Sequence, residues 1–172
     1  AKGLLTTAIE SDDTIIFMEP KRIYRAIKQE VPEEKFSIPI GKAKVLTEGT
    51  DVTIVAYGAL IREVQKAMIL AKQAGISVEL IDLRTIYPLD KETIAKSVKK
   101  TGRIITVAEG PISFGVGAEI TAVVNEHAFL SLEAPPKRVQ GFDTIVPLPK
   151  GEHYYMISPE KIFYEIERTV KF

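Results

Sequence analysis

The 172-residue chain contains no cysteine, which excludes disulfides, thiolate metal sites and thiol nucleophiles and fits a cytosolic protein. It also lacks net charge. Lys plus Arg and Asp plus Glu each total 23, so no field draws the molecule onto nucleic-acid phosphates or an acidic membrane, and its expected partners are proteins. Its apolar runs are only a few residues long, far short of the roughly 20 needed to span a bilayer, and no secretory segment is recognisable. The first residue is Ala1, not Met. The expectation is processing, truncation or a nicked precursor, with simple Met removal as the ordinary alternative. With 45% hydrophobic residues, the chain has enough apolar surface to bury the core of one main domain.

Apolar β-rich runs alternate with stretches of helical period, the pattern of an α/β protein with a mostly parallel sheet. Near the start, residues 2–9 have helical spacing, residues 14–17 read as a short buried strand, and residues 22–30 read as a short helix. Residues 31–35 and 38–41 hold the prolines and charges of a linker, which places a domain boundary near Phe36. Beyond it, strands are expected at 44–46, 52–56, 77–81, 104–107 and 137–140. Helices are expected at 59–73, from Asp90 to near Gly102, and at 115–129. Asp90 reads as a carboxylate cap and Gly75 and Gly102 as helix stops. After a long connection containing Pro147 and Pro149, Ser158 caps a final helix with Pro159 at its first position. The predicted architecture is a three-layer, doubly wound α/β domain with a mostly parallel sheet of about five strands over residues 37–172, preceded by a partial βα segment over 1–36.

Residues able to carry chemistry are few. His127 and His153 are the only histidines, and apart from the adjacent Glu126 and Glu152 neither has an acidic residue at metal-ligand helical spacing. Both are read as structural or surface residues. No Gly-x-Ser-x-Gly elbow or Walker-type loop is present. Gly115-Val116-Gly117 opens a helix where a dinucleotide fingerprint would put its glycines, but position 120 is Ile, so close helix–strand packing is the better reading. Glu109 and Glu119 either meet a neighbouring subunit or face solvent. Arg84 pairs with Asp82, with a partner's carboxylate, or in a plain surface ion pair.

Several longer motifs occur in order: Phe17-Met18-Glu19-Pro20-Lys21-Arg22-Ile23-Tyr24-Arg25, Glu48-Gly49-Thr50-Asp51-Val52-Thr53, Ile81-Asp82-Leu83-Arg84-Thr85-Ile86-Tyr87-Pro88-Leu89-Asp90, Lys100-Thr101-Gly102-Arg103 and Phe114-Gly115-Val116-Gly117-Ala118-Glu119-Ile120. Together with Ala1-Lys2-Gly3-Leu4-Leu5, they resemble the beta subunit of the thiamine-diphosphate-dependent pyruvate or branched-chain 2-oxoacid dehydrogenases, across essentially the whole chain. The resemblance implies that residues 1 to about 36 are the tail of a pyrimidine-binding domain and that the rest is a transketolase carboxyl-terminal-like domain. It also implies that the family's catalytic histidine and cofactor-contacting glutamate lie outside this chain. No catalytic, cofactor-binding or metal residue is therefore assigned, and thiamine diphosphate with Mg is expected only in the full complex.

The partners implied by the resemblance are an alpha subunit, a second beta subunit within an alpha2-beta2 tetramer, and the subunit-binding domain of the acyltransferase core. The last docks, in pyruvate-type relatives, on an acidic residue before an Ala-Pro pair and on the terminal carboxylate. Those positions correspond here to Glu133, before Ala134-Pro135, and to Phe172. The segment 150–155 has no good match in the family pattern. Two alternatives stand beside this reading: the carboxyl-terminal portion of transketolase or deoxyxylulose-phosphate synthase, and a non-enzymatic α/β interaction or ligand-binding module.

Overall fold

A computed structural model describes residues 1–147 and 150–172, so Pro149 of the long connection lies outside the described residues. The helices are α1 (Lys2–Glu10), α2 (Leu60–Gln73), α3 (Lys91–Thr101), α4 (Val116–Ala128), α5 (Glu152–Tyr155) and α6 (Pro159–Val170). Five strands, β1 (Lys44–Thr47), β2 (Val52–Ala56), β3 (Val78–Asp82), β4 (Ile104–Pro111) and β5 (Lys137–Gly141), form one sheet in the order β1-β3-β2-β4-β5. All neighbours pair in parallel except β1, which runs antiparallel to β3 along the edge.

Strand β2 is central and buried at all five positions, because helices cover both faces of the sheet. Side-chain alternation divides its residues between two cores. Val52, Ile54 and Ala56 pack with Leu60, Val64 and Ala67 of α2 and Ile162 and Ile166 of α6. Val55 turns the other way, toward Ile94 and Val98 of α3 and Ile120 and Val124 of α4. Each fully buried Ile or Leu in these layers contributes about 2 kcal/mol of transfer free energy.

The helix ends follow the chemistry of their residues. The Asp90 carboxylate accepts from the Thr93 N–H at 3.1 Å and from the Thr93 hydroxyl at 2.8 Å. It also accepts from the Ala43 N–H at 2.9 Å, so one side chain caps α3 and fastens the chain just before β1. Ser158 accepts from the Lys161 N–H with Pro159 beside it, and Gly102 ends α3 in the left-handed region at φ 68°.

Ahead of the sheet, two expectations fail. Residues 14–17 form no strand, and Ile16 is 83% exposed. The sheet includes no partner for this segment, and an apolar run without a ladder partner has no reason to settle as a strand. Residues 22–30 form no α-helix, only a 3-10 turn at Lys21–Ile23; Tyr24 and Ile27 stay exposed, and a short helix without a face to bury is marginal in water. Helix α1 forms as expected and packs on the linker. A Cβ on Gly3 would lie 2.6 Å from the Phe36 ring and 2.7 Å from Ile38, and the Ile38 N–H donates to the Gly3 carbonyl at 3.1 Å. The region without a family match contains a short helix, α5, whose Tyr155 is buried beside Phe142, with ring centroids 6.3 Å apart.

Burial pushes the Asp90 carboxyl up, but the hydrogen bonds from Thr93 and Ala43 outweigh it and hold the group below its ordinary value. A depressed carboxyl stabilises the fold above its unfolded pKa of about 4 and loses that contribution as pH falls through its folded pKa. Asp90→Ala is expected to cost about 2 kcal/mol at neutral pH, measured by chemical denaturation, with the gap between variant and parent narrowing in acid.

Candidate functional site

The carboxyl edge of a doubly wound sheet is where such folds gather their functional loops. Here Arg22, from the segment before the sheet, reaches down to this edge. Its guanidinium donates to Glu63 of α2 at 3.3 Å and stands 3.9 Å from Glu109 at the end of β4. Arg22 and Glu109 border a cavity of about 300 Å³ that Pro20, Ala59, Tyr155 and Ile157 also line. Burial and the neighbouring Glu109 push the Tyr57 hydroxyl up. With Arg22 set against both carboxylates, the 20–24 segment is fastened to this edge.

The remaining candidates fall out as follows. Arg84 adopts a left-handed backbone at φ 59°; its N–H donates to Asp82 at 3.1 Å, and it makes no ion pair with that carboxylate. Burial pushes the Asp82 carboxyl up, with the Arg84 N–H acting against it. Glu119 is exposed in the first turn of α4, where the helix dipole favours an anion. His127 Nε2 lies 3.8 Å from Glu126. The His153 ring lies against that of Tyr154, with centroids 3.9 Å apart and planes inclined at 41°. Among the described residues no group of three or more His, Asp or Glu side chains is placed to hold a metal.

The glycine pair is packed shut. A Cβ on Gly117 would lie 2.6 Å from Thr106 Oγ1 and 2.8 Å from Gln140 Oε1, and one on Gly115 would lie 2.9 Å from Gln140 Nε2. These are the close approaches of α4 onto β4 and β5, the helix–strand packing that the sequence suggested for this glycine pair. The packing has a cost, because Thr106 Oγ1 and both polar atoms of the Gln140 amide are buried without hydrogen-bond partners.

The opposite, amino edge is tied together by a buried polar network. Glu79 of β3, 1% exposed, accepts from Ser97 and Lys100 of α3, and Lys100 also meets Glu48. Thr53 of β2 bonds Ser97 at 2.6 Å and Thr101 at 2.7 Å. A buried carboxylate is tolerable only when paired and hydrogen-bonded in this way. Directly after this network come Gly102 and Arg103. The Glu133 N–H donates to the Gly102 carbonyl at 2.8 Å, and its carboxylate lies 2.7 Å from Arg103 while 60% of the side chain stays exposed. Helix α6 starts near Phe142, whose ring lies 5.7 Å from Lys161 Nζ, and its 12 residues span about 18 Å. It therefore delivers Phe172, 75% exposed, to the same amino edge as Glu133. Sequence reasoning missed Arg103 and Arg22. The available signal for Arg103 was a cation placed directly after a helix-stopping glycine.

Gly117→Ala is expected to cost about 2 kcal/mol by overpacking. Thr106→Val, which keeps the shape and removes an unpartnered buried hydroxyl, is expected to raise stability by about 1 kcal/mol. Paired denaturant titrations of the two variants against the parent check both signs.

Residues 41–162 match the family described as Transketolase, C-terminal domain. The chain is 57% identical over 171 residues to a pyruvate dehydrogenase E1 component subunit beta from Acholeplasma laidlawii, covering 99% of this chain and 52% of that protein. It is 44% identical over 172 residues to the protein of the same description from Staphylococcus epidermidis, covering 100% of this chain and 53% of that one. The chain thus spans about half the length of these curated relatives. Among solved structures, a split-gene transketolase described as an inactive beta4 tetramer superposes with a TM-score of 0.70 at 24% identity, over 83% of this chain and 46% of that one. A transketolase from Pichia stipitis superposes with a TM-score of 0.53 at 15% identity, over 81% of this chain and 21% of that one. The sheet order, the two-sided core and the match over residues 41–162 agree: this chain belongs to the transketolase carboxyl-terminal domain family.

Proposed function

We propose that the chain is the carboxyl-terminal half of the beta subunit of a thiamine-diphosphate-dependent 2-oxoacid dehydrogenase of the pyruvate type, and that it serves assembly rather than the decarboxylation itself. The observation that carries this reading is identity above half, sustained over 171 residues, with a pyruvate dehydrogenase E1 component subunit beta. Residues 1 to about 36 are then the end of the pyrimidine-binding domain, and Arg22 fastens that end to the carboxyl edge of the sheet. Thiamine diphosphate supplies the chemistry of decarboxylation when bound in the full complex. The present residues supply pairing and docking surfaces.

The exposed apolar side chains support an assembly role. Phe114, Leu130 and Ile145 stand almost wholly in solvent, and Phe114 is held there in a left-handed backbone conformation at φ 56°. A residue strained so as to present an aromatic ring outward fits a surface that an alpha subunit or a second beta subunit covers.

At the amino edge, the docking site for the acyltransferase's subunit-binding domain is Glu133 together with Phe172. A few charges of this kind set orientation and association rate and can dominate affinity. Glu133→Ala, or Phe172→Ala, is expected to weaken that binding about tenfold or more, read by calorimetry on the assembled alpha–beta complex. Unchanged affinity in both variants would remove the docking assignment.

A further inference from the structure

The carboxylate of Glu133 does not wait in solvent as a free side chain. Its N–H is fixed to the Gly102 carbonyl at 2.8 Å. Its stem lies where a side chain on residue 102 would be, since a Cβ on Gly102 would come within 2.8 Å of both Cγ and Cδ of Glu133. The third constraint is Arg103. Its guanidinium reaches Glu133 Oε2 at 2.7 Å, and only 21% of the Arg103 side chain is exposed against 60% for Glu133. Arg103 Nε is buried without a hydrogen-bond partner, so the guanidinium forgoes a bond to water in order to lie behind the carboxylate. Glycine at 102 serves both neighbours, because its left-handed φ of 68° turns the chain and its missing Cβ leaves room for Glu133.

We propose that Arg103 is a positioning residue for docking: it stands behind Glu133, fixes its rotamer and presents the outer lone pairs of the carboxylate to a cationic side chain of the acyltransferase's subunit-binding domain. The proposal rests on the docking role assigned to Glu133. A carboxylate has room for about four hydrogen bonds on its two oxygens, so the pair with Arg103 leaves outward positions for a second cation. Two cations on one carboxylate also oppose each other, and the sign of the net effect separates the possibilities. Competition would make loss of Arg103 tighten binding, whereas positioning makes it weaken binding, because an unrestrained Glu133 must then lose its rotamer freedom on docking.

The test is a double-mutant cycle on full-length beta subunit assembled with its alpha partner, with affinity for the acyltransferase's subunit-binding domain as the readout. Arg103→Met is expected to weaken binding about threefold to tenfold when Glu133 is present, the range set by one side chain's ordering entropy, and to have no effect in a Glu133→Ala background. Arg103→Lys, which keeps the charge but not the flat guanidinium, is expected to lose about twofold to threefold, and it carries the test if the Met variant does not assemble. Unchanged or tighter binding by the Arg103 variants, alongside a weakened Glu133→Ala, would overturn the positioning role and leave the docking site standing. An equal loss in both backgrounds would also overturn it, since a general structural effect does not need Glu133. If Glu133→Ala itself binds normally, the docking assignment falls first and the role of Arg103 falls with it.

Discussion

The constraint on which the rest depends is the burial of β2 on both of its faces. A parallel strand covered on both sides has no polar face to show, and Val52–Ala56 accordingly has every residue buried. The alternation of its side chains then assigns α2 and α6 to one layer and α3 and α4 to the other. Once those layers are fixed, the loops have only two places to go. One set gathers at the carboxyl edge around Arg22 and Glu109, and the other at the amino edge around Gly102 and Glu133.

The one polar residue on β2 links this core to the amino edge. Thr53 is completely buried, and its hydroxyl meets Ser97 and Thr101 in the last turns of α3. Glu79 and Lys100 lie in the same network. In a low-dielectric interior such a network holds geometry tightly when its members are satisfied. Its consequence appears at the next residues along the chain, because Gly102 and Arg103 leave a helix end whose side chains are already fixed. The stiffness of the edge thus originates in the sheet.

Much of this fold was legible in the sequence because the signals were local. Asp90, Gly102, Ser158 and Pro159 announce helix ends through their own chemistry, and the apolar runs at β2 and β4 are bounded by turns and charges. The failures came where local signals had no tertiary support. Residues 14–17 have the composition of a strand but no partner to pair with, and residues 22–30 have helical residues but no face to bury. The short helix α5 went unforeseen because what holds it is a distant contact, Tyr155 against Phe142. At the candidate site, Glu133 and Phe172 came from family resemblance, while Arg103 became visible only when folding brought residues 102–103 against 133. The pairing of residues 30 positions apart leaves no periodic trace in a single sequence.

On the proposed function, these residues form a scaffold and the coenzyme is held elsewhere in the assembled enzyme. Titrating thiamine diphosphate with Mg into the chain alone, and in parallel into full-length beta subunit assembled with alpha, tests this directly by calorimetry. The expected result is saturable stoichiometric binding to the assembled subunits and no measurable heat of binding to the chain alone. Tight one-to-one binding to the chain alone would contradict the scaffold role.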